Sequence, residues 1–377
     1  MTESTATPEQ APVLAREDAR TYHRWQFRIG VLRFLISAGF LCALLVSGLS
    51  FRLRDLLAAW TLHWWIAVPA AVLVIGLGVE ILTLPLSLIG GFWLPRRYGL
   101  HHQTFARWSA DRVKAALIGG ILGVAATLIV YALLRSTPWW WLWAAAALFL
   151  GQVVLAFVTP IWLVPIFYRL TPLADGEMRS RLLRLAERAR VPAIGVWIAD
   201  QSRRSRTANA AVVGLGRTRR IVLFDTLVKE FEADEVEAVL AHELAHHAAG
   251  DVWRGLAVQG MLTVMALWIA DRVLTAGASA LGLSGPADPG GLPLLGLVTM
   301  AVSLIALPIV NGWSRRVETR ADDFALTLTH DPGPFIRAME RLADLNLAER
   351  KPHPLKEVML YSHPSVDRRV ARARARA

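Results

Sequence analysis

The sequence predicts an α-helical multi-span membrane protein, with about six transmembrane helices and a small α+β domain placed between and after them. Three observations carry this. The chain has 377 residues, 54% of them hydrophobic, with 15 Trp; that is too apolar for a soluble chain of this size. Six apolar stretches approach the roughly twenty residues needed to cross a bilayer. Between the fourth and fifth lies a charged segment with short strand-like runs. The net charge of +11 would suit a nucleic-acid binder. However, the arginines cluster at the flanks of the apolar stretches, as topology signals do, so nucleic acid is not an expected partner. The single cysteine, Cys42, excludes a disulfide framework and a cysteine-based metal site.

Residues 1–28 form a polar tail, so no cleavable signal peptide is expected there and the first apolar stretch is a retained span. The spans are Ile29–Leu49, Trp64–Leu88, Ala115–Leu134, Trp139–Val158, Leu256–Leu274 and Leu292–Val310. Arg33, near the start of the first, can snorkel to the interface. The fourth runs on towards Phe167 past Pro160 and Pro165. Trp64, Trp65, Trp139, Trp140 and Trp141 sit at span ends, as interfacial aromatics do. Glu80 lies inside the second span, where a carboxylate is costly and usually lines a cavity or pairs. Arginine-rich loops alternate with arginine-poor ones across all six spans. This predicts a multi-pass cell-membrane protein with both termini and residues 170–251 facing the cytoplasm.

The division along the chain is a tail at 1–28, four spans in 29–170, the first part of the α+β domain in 171–251, two spans in 252–312 and the second part of the domain in 313–377. Within the domain, Asp175–Arg190 reads as an amphipathic helix. Val196–Ala199, Ala208–Val213 and Arg220–Phe224 read as strands. Asp234, with Glu237 three residues on, reads as the capping box of the next helix, which ends near Gly250. The sixth span continues into a polar helix, Trp313–Thr329. Helices follow over Phe335–Ala348 and Asp367–Ala377.

The capped helix carries His242-Glu243-Leu244-Ala245-His246. Histidines at i and i+4 lie one turn apart on one face, the spacing at which both can reach a single tetrahedral Zn²⁺. Glu243 sits where a carboxylate can take a proton from metal-bound water. Two histidines hold zinc poorly, so a third protein ligand is needed. Glu318 and Asp322, also i and i+4, supply one carboxylate as that ligand and one to orient a ligand histidine. Without the HExxH run they would read as solvated acids on an arginine-rich helix.

These motifs, in order, resemble the type I CAAX prenyl protease family of membrane zinc metallopeptidases. The resemblance rests on HExxH, two apolar spans and then Ser314-Arg315-Arg316-Val317-Glu318-Thr319-Arg320-Ala321-Asp322. It is extended by Tyr98–Thr104, Pro165–Phe167 with Leu170–Leu173, Asn209-Ala210, Arg220–Leu227 and Ser362-His363-Pro364. It runs from about residue 85 to 370. It implies a small α+β zinc-protease domain with one Zn²⁺ held by His242, His246 and Glu318, Glu243 as general base and Asp322 behind a ligand. His363 is implied as an oxyanion donor. Beside the resemblance, Asn209, Ala210 and Arg369 are expected at the substrate, the first two as a strand edge to which a peptide adds, with pairing to a site carboxylate as the other reading of Arg369. His247, about 100° off the ligand face, reads as structural. Thr207 stands where the family usually has histidine, and Ala211 and Val212 where aromatics are common. Family members in eukaryotes have seven spans, against six here.

The expected function is therefore hydrolysis of peptide bonds by an integral-membrane zinc metalloendopeptidase. The partners are a peptide or protein substrate, lipidated or membrane-embedded, and the lipid bilayer. Prenylated tails and misfolded membrane proteins are both candidate substrates. A rival from another class is a membrane scaffold or transporter with a structural zinc, but such a site would fill its fourth position with protein. A protease with HExxH inside a span is disfavoured by Lys229, Glu230, Glu232, Asp234, Glu235 and Glu237 just before the motif.

Overall fold

The structure is a computed structural model and describes residues 11–61, 63–214 and 216–376. Residues 1–10 of the polar tail and Ala377 lie outside it. Among the described residues, six helices are long and apolar enough to cross a membrane. The first, α1 (Ala11–Val46), is continuous with the described part of the tail, so residues 11–28 are helical rather than a separate segment. A short α2 (Leu49–Trp60) follows, then α3 (Trp64–Leu88). A π-helical turn at Ile89–Trp93 and α4 (Leu94–Arg97) extend α3. Next come α5 (Phe105–Ser136) and α6 (Trp140–Val158). A second π-helical turn, Thr159–Leu163, carries α6 into α7 (Val164–Phe167). The fourth span therefore does run past Pro160 and Pro165, because a π turn re-registers the backbone bonds that each proline cannot make.

In the soluble part, β1 (Leu170–Pro172), α8 (Glu177–Arg188), β2 (Val196–Ala199), β3 (Ala210–Val213) and β4 (Arg220–Phe224) precede α9 (Asp225–Glu230) and α10 (Ala233–Ala248). Then α11 (Asp251–Ala280) and α12 (Leu292–Thr329) cross the membrane region, and α13 (Pro332–Leu345), α14 (Pro354–Leu360) and α15 (Val366–Arg374) close the chain. The strand order is β1-β2-β4-β3. β2 and β4 are parallel, with Val196 opposite Ile221. β3 is antiparallel to β4, with Ala210 opposite Leu223, and forms an edge. The three-residue β1 was not foreseen; it pairs only with β2, and its own length gives no periodicity to read.

Two cores form. In the membrane region Val68, Val130, Trp140, Leu274 and Val302 pack together, and the buried Trp140 indole donates to Asp271 Oδ1 at 2.7 Å. In the α+β domain the sheet residues Val196, Ile221 and Leu223 pack against Leu240 and Leu244 of α10, Leu182 of α8 and Phe335 of α13. This core fixes one face of α10 and leaves the histidine face to α12. The start of α10 differs from expectation. Glu232 is its N-cap and Glu235 completes the capping box. Asp234 instead pairs with Arg337, and Glu237 holds Arg181 at 2.7 and 3.1 Å. Glutamate is an uncommon cap, and two acids within reach of each other hid it.

Candidate metal centre

The site lies where α10 crosses α12. One turn of helix separates His242 from His246, and their rings stand 5.0 Å apart at 86°. Glu318 reaches them from α12. One ligand atom from each of the three residues lies within 4.8 Å of the others. His242 Nε2 is 3.1 Å from Glu318 Oε2, and His246 Nε2 is 3.6 Å from Glu318 Oε1. Both Nε2 atoms thus face the carboxylate.

Both Nδ1 atoms face away from it, each towards another acid. His242 Nδ1 lies 2.9 Å from Asp322 Oδ1, and His246 Nδ1 lies 3.1 Å from Asp251 Oδ2. Each acid is held in turn by an arginine. Arg369 donates to both oxygens of Asp322, Nε to Oδ2 at 2.9 Å and Nη2 to Oδ1 at 2.6 Å. Arg320 donates to Asp251. The two histidines of the motif therefore have matching supports, a carboxylate backed by a guanidinium. Carboxylates on Nδ1 fix the tautomer that presents Nε2 to a metal. Arg369, expected at the substrate, has its guanidinium engaged on Asp322. Asp251 and Arg320 were not foreseen. The signal was Gly250-Asp251 immediately after the helix: Gly250 takes φ 70°, a left-handed conformation that suits glycine, and the turn brings Asp251 back under His246.

Three observations fit a bound metal. Glu318 Oε2 is buried, 3.1 Å from His242 Nε2 and 2.7 Å from His363 Nδ1, with neither contact aligned as a regular hydrogen bond. The donors, two imidazoles and a carboxylate, are those of a catalytic zinc site with an open position. The local field also favours a cation. Burial alone would pull His242 down, but the Asp322 and Glu318 carboxylates outweigh it and lift the imidazole to about 9. Burial pushes the neighbouring Glu243 carboxyl above the usual glutamate range. His363 is 58% exposed at the rim, against Glu318.

The expected substrate edge lies beside this cluster, since β3 packs on α10. Phe224 N–H donates to Asn209 C=O at 3.0 Å. In antiparallel pairing that turns the N–H and C=O of Ala210, and of Val212, away from β4. Ala210 N–H is taken by Asn209 Oδ1 at 2.9 Å. Val212 C=O accepts from His247 Nε2 at 2.8 Å, which ties the edge strand to the helix of the histidines. This leaves Ala210 C=O and Val212 N–H on the open side. Glu80 lies elsewhere, paired with Arg112 of α5 at 2.6 Å.

Comparison with known proteins agrees with this geometry. The profile of peptidase family M48 matches residues 172–377, and that of the CAAX prenyl protease N-terminal region, five membrane helices, matches residues 11–169. In this chain the latter region holds four long apolar helices and the 12-residue α2. The chain is 30% identical over 335 residues to the uncharacterized metalloprotease YhfN of Bacillus subtilis (strain 168), covering 88% of this chain and 78% of that protein. It is 31% identical over 303 residues to the CAAX prenyl protease 1 homolog of Arabidopsis thaliana, covering 77% and 69%. The fold matches the crystal structure of S. mikatae Ste24p with a TM-score of 0.83 at 22% identity, over 95% of this chain and 89% of that one. Membership of a metallopeptidase family removes the scaffold or transporter reading, and a His-His-Glu cluster joined by two membrane-region helices is what such a family would place here: the chain belongs to peptidase family M48 and is a membrane metalloprotease.

Proposed function

We propose that this protein is a zinc endopeptidase, with one Zn²⁺ per chain held by His242, His246 and Glu318. Zinc in that position would supply Lewis acidity and bring the pKa of a water towards neutrality. The protein supplies the rest. Glu243 accepts the proton of the attacking water and passes it to the leaving amine. Its raised pKa suits both steps better than that of a solvated glutamate. Asp322 and Asp251 hold the two imidazoles in the ligating tautomer. His363 has one nitrogen on Glu318 and the rest of its ring open, so it is placed to donate to the oxyanion of the tetrahedral intermediate.

The substrate is a peptide or protein chain associated with the membrane, bound extended along β3. Prenylated C-terminal tails, in keeping with the names of the relatives, and misfolded membrane proteins both meet this description. The catalytic site and both termini face the cytoplasm, as the arginine alternation supports.

The observation that carries this reading is the cluster of His242, His246 and the buried Glu318, one ligand atom of each within 4.8 Å of the others, with Glu243 next to His242 on α10. The test is Glu243→Gln. Purified protein should keep its zinc by elemental analysis and lose peptide hydrolysis. Loss of zinc together with activity would remove Glu243 from the role of base, and retained activity would refute the mechanism. Membrane proteomics of the same variant would then identify trapped substrates.

A further inference from the structure

We propose that the membrane region holds a specific site for an anionic phospholipid, its phosphate on Arg33 and an acyl chain in the crevice between α1, α3 and α12. The observation is an unpaired charge at the junction of two cavities of opposite character. The first is an apolar crevice of ≈ 690 Å³ whose walls include Val72, Gly76, Leu295 and Gly296. The second is a polar cavity of ≈ 430 Å³ lined by Gln26, Ser87, Asp111, Arg112 and Arg204. Gly30 and Arg33 line both, so the two meet at the Arg33 side chain.

The charges in the polar cavity do not balance. Arg112 is paired with Glu80 at 2.6 Å, and Arg204 with Asp111 at 3.0 Å. Arg33 has no acidic partner among the described residues. It lies four residues beyond Ile29, about 6 Å into the first apolar stretch at 1.5 Å per residue. A charged residue inside a span is costly and is normally paired or given a task. A lipid phosphate at the level of the headgroups can partner such an arginine. The crevice then takes the attached chain, and its volume falls in the roughly 300–1,000 Å³ range of ligand sites. Small residues make the space: a Cβ added at Gly30 or Gly76 would meet nothing within 4 Å. Basic pockets between membrane helices select anionic headgroups by this same chemistry. The polar–apolar split, with a free cation at the boundary, selects a phospholipid over a wholly apolar occupant.

The test uses the full chain, equilibrated with mixed micelles or nanodiscs of phosphatidylglycerol and phosphatidylcholine in equal amounts, with retained lipid counted by native mass spectrometry. Wild type should retain phosphatidylglycerol over phosphatidylcholine by roughly fivefold, the effect of one arginine near the headgroups. Arg33→Gln should abolish that preference while leaving zinc content unchanged, and Arg33→Lys should keep most of it. Gly76→Phe, which fills the crevice, should lower retention of both lipids. Equal retention of the two lipids by wild type, no retained lipid, or an unchanged preference in Arg33→Gln would overturn the proposal. So would a crevice occupied instead by an added prenylated peptide with no selectivity for the anionic lipid.

Discussion

Replacing Asp322 by alanine should damage metal binding and folding through two separable routes. Asp322 is 2% exposed, holds His242 Nδ1 at 2.9 Å and accepts from Nε and Nη2 of Arg369, whose side chain is itself only 13% exposed. The first contact sets the His242 tautomer. Losing a support of this kind costs about 10–100-fold in metal affinity, or about 1.4–2.7 kcal/mol. The second contact balances a buried cation. Removing its partner leaves Arg369 uncompensated, at a cost of about 3–5 kcal/mol of stability. The double variant Asp322→Ala with Arg369→Met separates the two. Removing the stranded charge should restore most of the stability, whereas zinc affinity should stay 10–100-fold low, because nothing then orients His242. Zinc affinity is read by competition with a chelator, and stability by denaturant unfolding in detergent. Asp251→Ala provides the contrast. It supports His246 in the same way, so zinc affinity should fall by a similar factor. Its arginine partner, Arg320, is 48% exposed and can return to water, so stability should fall by much less, about 0–1 kcal/mol for the pair itself. Zinc affinity restored in the Asp322/Arg369 double variant, or unchanged to within twofold in either single carboxylate variant, would refute the assignment of these acids as supports of the ligands.

The other predictions are these. Changing His242 and His246 together to alanine, or Glu318 to alanine, should abolish activity and most of the zinc by elemental analysis; full zinc occupancy in the double histidine variant would sink the ligand set. Val212→Pro removes the N–H that β3 leaves on its open side, a change an edge strand tolerates, and should raise KM or abolish cleavage with zinc content intact; a folded, zinc-loaded and fully active variant would rule out substrate addition along β3. With Cys42→Ser removing the only native thiol, a cysteine placed at the exposed Arg203 should react with reagents reaching the cytoplasmic side alone, and external labelling there would reverse the proposed topology.

Features set by local periodicity could be read from the sequence. The six apolar lengths mark the six membrane helices, and Val196–Ala199 and Arg220–Phe224 are strands at the expected residues. A helix of 3.6 residues per turn must bring His242 over His246, and Glu318 over Asp322, wherever those helices lie. What the sequence could not supply were the relations between elements distant along the chain. Among many arginines in the C-terminal helix, only the packing of α15 on α12 selects Arg369 for Asp322. Asp251 becomes the partner of His246 only because Gly250 turns the chain in a left-handed conformation and α11 leaves at that angle. His247 was legible as lying off the ligand face, but its grip on Val212 of the edge strand depends on how α10 packs on β3. Arg33 could be read as a snorkelling arginine; the crevice and the polar cavity that meet at it exist only once α1, α3, α5 and α12 are assembled. Spacing along a helix is fixed by backbone geometry, whereas the choice of partner between elements is fixed by how those elements pack, and only the tertiary structure decides it.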